Sequence, residues 1–569
     1  MSLMFSSPET LTRQFEKNRR RVILSVVAVF LLAAPVWWVT TEVYRAPLPI
    51  ADIRAWTKPQ ALRQKLAIDI DLHFSGLPEG QTSTDIAQDV NKQLAVIYQS
   101  AEEGHVHVDT TKEQASAGIV GEEIVVPNPD VRLSFNVQAA HNATGPPSEN
   151  GRYSIHVSCQ SSSAIPRIHV DAGRSVVIGL PHCNEDVVQT LVGTIAGLFA
   201  DEQAAYRSIL NPSNPTVNTD WDNMRTMKYA RKYQLTLSLL VANPSDMIVG
   251  WDIKDAIDAY IHPFLDALND ISIFSVHSQV QNYATLPITP EATNKDGSDI
   301  HIIQPHVLPQ FINSAQWNLA SVVTMAPPIN FILYIPSQSQ KPLHLVKANG
   351  DILSTNAFLM PRWGGIVIAN PEANSSTYHY DVQELLPFME IFISQLRDLL
   401  GVKTIRIPNA HLILPGVKIT YSQAPMTGIT LWEHDRLVRW RTIQNIADAA
   451  ITLNSLATLI ERLESMVVLD IIQTQVLQAL GSLQSAHTSL QSSSNHTQSS
   501  LHARAAITAS ESAFFDPTMV AMLYFPDEHK YAVYMPLFVP ISVPVLIAVL
   551  REIKRWKQGR KKKEHAKKE

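Results

Sequence analysis

The chain has 569 residues, 45% of them hydrophobic and 17% charged, with a formal net charge of -6. That length supplies about three or four domains of chain and an ample core, and the composition excludes a disordered, collagenous or polytopic membrane protein as the whole answer. Residues 1–21 carry +3 and residues 551–569 carry +7, which leaves -16 between them; the main body therefore lacks the clustered Lys and Arg that a nucleic-acid surface needs.

In chain order, the first feature is an uncharged run, Val22 to Val39, of 18 residues. As a helix it covers about 27 Å, close to the hydrocarbon thickness of a bilayer. Trp37 and Trp38 sit where an interfacial belt belongs. A cleaved signal peptide is the rival reading, but the run exceeds the usual apolar region and has no A-x-A site, so an uncleaved anchor is expected.

The body then alternates strands and helices. KLAIDIDLHF (65–74) alternates as a half-buried strand, and Ile86, Val90, Leu94 and Ile97 follow at helical spacing. Strand patterns come at 131–137, 153–158, 167–170 and 175–180, and then Val187, Val188, Leu191, Ile195 and Phe199 share a helix face. A second pass begins with YQLTLSLLV (233–241), continues through a helix near 253–268 and strands in ISIFSV, INFILYIP, PLHLV and GGIVIAN, and ends in a helix over 382–400. The order repeats. Ile155-His156-Val157, Ile168-His169-Val170 and Val176-Val177-Ile178 match Ile332-Leu333-Tyr334, Leu343-His344-Leu345 and Ile366-Val367-Ile368 in spacing and apolarity. Two related α/β halves, about 60–215 and 230–402, are expected, with generic alternation of buried strands as the competing explanation.

Leu453, Leu456, Ile460, Leu463 and Val467, then Ile472, Val476, Leu480 and Leu483, step by three and four, so 430–485 reads as long helix packed on the α/β core. Residues 486–512 are Ser-rich and read as a flexible loop. The chain ends in a second apolar run, Tyr531 to Leu550, followed at once by a basic tail over 551–569. Basic flanks outside both runs place both termini in the cytoplasm and residues 40–530 across the membrane. Pro536, Pro540 and Pro544 recur every four residues and free the carbonyls four positions earlier. That stripe suits contact with another subunit or a lipid headgroup cavity; a kinked isolated span is the alternative.

Chemistry is sparse. Sequons begin at Asn142, Asn374 and Asn495, all inside the body as lumenal glycosylation requires. The chain's two cysteines, Cys159 and Cys183, allow one bridge or two buried thiols. The dinucleotide, P-loop, H-E-x-x-H, G-x-S-x-G and EF-hand signatures are missing, and no metal or cofactor site is expected. His156 and Cys159 with His182 and Cys183 are the nearest approach to a thiol nucleophile with a base, but adjacent His and Cys diverge on a strand. His434 and Asp435, and the run from Asp296 through Ser298 and Asp299 to His301, read as ordinary polar loop groups. Pro361-Arg362-Trp363-Gly364-Gly365 reads as a tight turn into a strand.

The segment Arg20 to Pro49, RRVILSVVAVFLLAAPVWWVTTEVYRAPLP, resembles the N-terminal anchor of the PIG-S family. YQLTLSLLVANP (233–244), FILYIPSQSQKPL (331–343), PRWGGIVIANP (361–371) and FFDPTMVAMLYFPDEHKYAVYMPLFVPISVPVLIAVL (514–550) are similar to the same family. The resemblance implies a non-catalytic subunit of the endoplasmic reticulum GPI transamidase. It implies as partners a PIG-K-type caspase-like protease that carries the nucleophile, and GPAA, PIG-T and PIG-U type subunits. GPI glycolipid and proprotein are met indirectly, and no catalytic residue carries over to this chain. A membrane-tethered lumenal hydrolase and a glycolipid-binding module using Trp37, Trp38 and the proline stripe are the alternatives.

Overall fold

The computed structural model describes residues 8–41, 44–58, 64–77, 82–100, 131–140, 150–159, 165–181, 186–200, 225–295, 298–311, 326–372, 376–408, 416–463, 466–492, 496–518 and 527–565, with single residues at 202, 205, 206, 209 and 317. The chain forms two compact units: residues 1–50, 452–477 and 510–569 make one, and residues 51–451 and 478–509 the other.

In the first unit, α1 (Pro8–Thr41) contains the 22–39 run. Next in the chain comes a short α2 (Ile50–Trp56). Arg45 donates to the Ile460 and Leu463 carbonyls, and the Tyr44 hydroxyl reaches Asp470 at 2.6 Å. Among the described residues no single helix is long and apolar enough to cross a membrane alone. The segments Ala532–Pro540 and Ser542–Gln558, bent by 45° at their junction, reach that length and composition together. Pro536, Pro540 and Pro544 lie inside the helix Asp527–His565, where each removes a ladder hydrogen bond, and the bend accords with the kinked alternative for 531–550.

The second unit holds two large sheets. The first is built from β1 (Gln64–Ser75), β2 (Val131–Ala139), β3 (Arg152–Cys159), β4 (Arg167–Val170) and β5 (Ser175–Leu180), with α3 (Ser83–Ser100) between β1 and β2 and α4 (Asp186–Leu198) after β5. Its order is β4-β5-β3-β1-β2, parallel except for the β4–β5 pair. Leu66, Ile68, Ile70 and Leu72 are buried on one face. The alternate residues pair as polar groups: Asp69 accepts from Asn136, Asp71 bonds Arg152 at 2.8 Å and Gln138 at 2.9 Å, and His73 stacks on His156.

The second large sheet uses β6 (Lys232–Val241), β8 (Ile273–Asn282), β11 (Pro328–Ile335), β13 (Ala357–Met360) and β14 (Gly364–Ile368), in the order β13-β14-β11-β6-β8. All its pairs are parallel except β13–β14. Taken by position in the chain, this is the strand order and direction of the first sheet. Between β6 and β8 come β7 (Ile248–Trp251) and α5 (253–267), whose middle, Ile257–Ile261, is a π turn. The intervening β9 (Glu291–Lys295), β10 (Ser298–Ile303) and β12 (Leu343–Leu345) form a separate three-stranded sheet. The expected match of Leu343-His344-Leu345 to Ile168-His169-Val170 therefore fails; the topological partner of β4 is β13. Strand patterns alone do not say which sheet a strand joins.

Leu235, Leu237 and Leu239 of β6 pack with Phe264 of α5 and with Met389, Phe392 and Leu396 of α6 (Val382–Leu400). β15 (Thr377–Tyr380) pairs with β7 just ahead of α6. Asp381 and Glu384 close a reciprocal capping box at the start of α6, and Gly401, at φ 80°, ends it. The chain then returns to the first sheet as β16 (Lys418–Tyr421), which pairs with β4.

Three helices follow: α7 (Leu431–Arg462), α8 (Asp470–Ser492) and α9 (His496–Phe514), then α10 (Asp527–His565). The Ser-rich stretch expected as a flexible loop is helix over most of its length. Ser499, Ser500, Ala503 and Ala506 of α9 are buried, and small side chains of this kind let a helix pack closely without a large apolar stripe.

Candidate functional site: the strand switch points and the charged turns of α7

In open sheets of this strand order, ligands lie beyond the carboxyl ends of the strands where the order reverses. Those points are the ends of β1 and β3 in the first sheet and of β6 and β11 in the second. At the first, Gly76 has φ 77°, and a Cβ there would stand 2.8 Å from the Cys159 carbonyl oxygen, so the two backbones approach closely. Cys159 is disulfide-bonded and offers no thiolate. His156 is held below the usual imidazole range by burial and by His73.

At the second switch point, the Ala242 N–H donates to the Ile335 carbonyl at 3.0 Å. Asp246 accepts from Asn243 and from the Gln338 N–H, both at 2.9 Å. Burial lowers the Lys341 pKa, and its ammonium donates to the Pro371 carbonyl. Among the described residues these polar groups close loops and do not converge on a shared cavity. Among the described residues no three His, Cys, Asp or Glu side chains gather as a metal site.

The concentrated chemistry lies elsewhere. Thr430 and Glu433 cap α7 reciprocally, with Glu433 N–H to the Thr430 hydroxyl at 3.3 Å and Thr430 N–H to Glu433 at 2.9 Å. The next two turns are charged and buried. Arg174, in the β4–β5 turn, grips Asp435 through Nε and Nη2, both at 2.7 Å. Arg439 reaches the Tyr153 hydroxyl at 2.7 Å and Glu202 at 2.7 and 3.0 Å. Trp432 stacks on Tyr153 with ring centroids 4.2 Å apart. Toward the second sheet, His434 bonds Asp270 at 3.0 Å, Arg397 pairs with Glu433 at 2.8 Å, and Arg441 donates to the Leu400 carbonyl at 2.8 Å. One helix start thus ties both sheets.

Burial opposes the charges of Asp435, Glu202, His434, Arg174 and Arg439, and pairing decides the outcome for these five; Arg441, which donates to backbone carbonyls, is lowered by its burial. Burial pushes the Asp435 carboxyl up, but Arg174 and His434 hold it down at about 2. Burial pushes His434 down, but hydrogen bonds to Asp270 and Asp435 raise it to about 9. His496 has one such bond, from Nε2 to the Ala67 carbonyl; burial and Arg439 drive it down to about 3, so it is neutral. Such a set is suited to holding geometry, because each ion is already committed to a partner. His434 and Asp435, which read in the sequence as polar loop groups, lie instead in the first turns of α7. The signal was the T-x-x-E of Thr430 to Glu433 ahead of alternating charges and apolar residues, which marks a helix start.

The other sequence candidates are placed as follows. Asn142, Asn374, Asn495, His182 and Cys183 lie outside the described residues. Trp37 and Trp38 are on α1, with side chains outside what is described. Pro536, Pro540 and Pro544 are exposed on α10. In the same unit, Glu552 bonds Arg19 at 2.9 Å and Arg20 at 2.6 Å. A groove of about 380 Å³ there is lined by Ile23, Leu24, Val27, Val549 and Trp556. Arg362, at φ 57°, sits in the expected turn, and β14 begins at Gly364.

Comparison with known proteins supplies the family. The family model described as "Phosphatidylinositol-glycan biosynthesis class S protein" matches residues 24–559. The chain is 30% identical over 539 residues to the Bos taurus protein named GPI-anchor transamidase component PIGS, covering 92% of each. It is 29% identical to the Homo sapiens protein of that name, again over 92% of each. It is 26% identical to the Schizosaccharomyces pombe protein named GPI transamidase component PIG-S homolog, over 95% of this chain and 85% of that one. A match that runs from α1 into α10 and takes in both sheets and the ionic turns of α7 leaves one conclusion: the chain belongs to the PIG-S family.

Proposed function

We propose that the protein is a non-catalytic, membrane-anchored subunit of the transamidase that attaches GPI anchors to proprotein C-termini in the endoplasmic reticulum. The observation that carries this reading is the family match over residues 24–559. The absence of a free thiol at Cys159 supports it, since a cysteine protease would need a thiolate. The proposed topology has residues 1–21 and 551–569 in the cytoplasm, spans at 22–39 and 531–550, and the body at 40–530 in the lumen. There Cys159 pairs with Cys183, and Asn142, Asn374 and Asn495 are open to glycosylation. The shared strand order of the two large sheets supports descent of the body by duplication. Partners are a caspase-like protease subunit of PIG-K type and subunits of GPAA, PIG-T and PIG-U type, with glycolipid and proprotein met through them.

The contribution to rate is proximity: a rigid body that holds protease, proprotein and glycolipid together turns an encounter into an effectively intramolecular step. The ionic turns of α7 serve this by fixing one sheet against the other. Purification in mild detergent, with mass identification of what co-purifies, tests the reading. The other transamidase subunits are the expected outcome, and a lone protein that turns over substrate overturns it. Alanine at His156 or His182 is expected to leave anchor attachment near wild type; loss of turnover in an intact assembly would favour a tethered hydrolase.

A further inference from the structure

The edges of a sheet expose unpaired peptide groups, and proteins blunt them with short strands, charges, prolines or covering groups. Three of the four edges of the two large sheets are blunted. β13 and β16 have four residues each, and β16 opens with Lys418. β2 is longer, but it carries Arg132, and the Asn91 amide donates to the Val137 carbonyl at 2.8 Å and accepts from its N–H at 2.9 Å. Among the described residues β8 has none of these devices. Its ten residues, IFSVHSQVQN, include no Lys, Arg, Asp, Glu or Pro.

The ladder with β6 fixes which groups are free. Ile273 N–H donates to the Arg231 carbonyl at 2.9 Å, and the register runs unbroken from Lys232 opposite Ile273 to Val241 opposite Asn282. Alternation along a parallel pair then turns the peptide groups of Phe274, Val276, Ser278, Val280 and Asn282 outward. Among the described residues these groups have no hydrogen-bond partner, and β8 pairs with β6 alone. The strand is about 33 Å long. Phe274 and Val276 are partly buried against the core, while Val280 stays 49% exposed.

We propose that β8 is a docking edge, where an extended, uncharged, strand-forming segment of another polypeptide subunit adds as the sixth strand of the second sheet. A row of outward backbone donors and acceptors is matched by another backbone. An acidic or basic segment is disfavoured, because β8 offers no countercharge and charges placed opposite it would be desolvated without a partner. The proposal rests on the reading of the chain as a subunit of an assembly.

Hydrogen exchange on the full chain, alone in detergent and in the assembled complex, tests it. In the complex the outward amides of Phe274, Val276, Ser278, Val280 and Asn282 are expected to slow at least tenfold, while those of Ser275, His277, Gln279 and Gln281 exchange slowly in both samples. Equal rates at the outward amides overturn the proposal. So does slowing in the isolated chain that grows with its concentration, which would assign the edge to a second copy. Ser278→Pro removes one outward N–H at a position where an edge strand tolerates proline, and Ser278→Lys adds a guarding charge if the proline variant misfolds. Either is expected to cut recovery of partner subunits at least tenfold with the melting of the chain alone near wild type; undiminished recovery overturns the proposal. Failure of the wild-type chain to recover any subunit would instead remove the assembly reading, and this edge assignment with it.

Discussion

Arg439 and Glu202 form a two-pronged ion pair, with contacts of 2.7 and 3.0 Å, in a site where each side chain is 1% exposed. Removing one member leaves the other charge buried and unpaired, which costs about 3–5 kcal/mol, whereas replacing both by well-packed apolar groups is often near neutral. Glu202→Leu and Arg439→Met are therefore each expected to lower the melting temperature of the purified full chain sharply. The double variant Glu202→Leu with Arg439→Met is expected to recover most of the loss. Additive losses in this cycle would show that the pair does not act as a unit.

The imidazoles give stability a maximum near neutral pH. His434 is raised to about 9 in the folded chain against about 6.5 unfolded. Its contribution is full below pH ~6.5 and is lost as pH rises toward 9, at about 1.4 kcal/mol per unit. His496 is lowered to about 3, so the unfolded chain takes up a proton that the folded chain does not, and stability falls as pH drops below about 6.5. Asp435, held at about 2, adds to the acid loss below about pH 4. Melting temperature against pH is expected to be bell-shaped, and His434→Gln to flatten its alkaline limb. An alkaline limb unchanged in that variant would contradict the assignment.

What could be read in advance follows from how local each signal is. Strands β1, β3, β5, β6 and β11 and helices α4 and α6 show their periodicity within one segment, and α6 also carries its D-x-x-E start at Asp381 to Glu384. Membership of β12 in a third sheet, by contrast, depends on pairing with His301 to Ile303 some forty residues away, which no local pattern encodes. Helix α9 is hidden in the sequence because its buried side chains are Ser and Ala, the composition that also marks linkers. The ionic turns of α7 are hidden because charge signals surface until the partners, here Arg174, Glu202 and Asp270, converge. Sequence fixes their presence but not their meeting.

The turn Pro361 to Gly365 shows the reverse case, where sequence suggests a turn and packing explains its glycines. Gly364 has φ 153°, and a Cβ there would stand 1.8 Å from the Asn330 carbonyl oxygen on the neighbouring strand β11. Neither backbone can retreat without breaking the β11–β14 register. Gly364→Ala is expected to cost about 3 kcal/mol. Gly350→Ala, at φ 86° with open space around it, is expected to cost only about 1–2 kcal/mol from backbone strain. Urea unfolding midpoints of the two variants check the difference, and equal losses would contradict it.

The proposed pairing of Cys159 with Cys183 makes a prediction that separates stability from chemistry. A bridge constrains the unfolded chain, and its loss typically removes about 2–4 kcal/mol whichever sulfur is deleted. Cys159→Ser, Cys183→Ser and the double variant are thus expected to melt at the same lowered temperature, since the second substitution has nothing left to break. Transamidation by complexes that still assemble is expected to stay near wild type in all three, because neither sulfur is a nucleophile in this reading. If the double variant melts well below both singles, the two cysteines do not share one bond. If turnover disappears while every subunit is still recovered, the chain contributes a thiol to the reaction, and the scaffold reading gives way to the hydrolase.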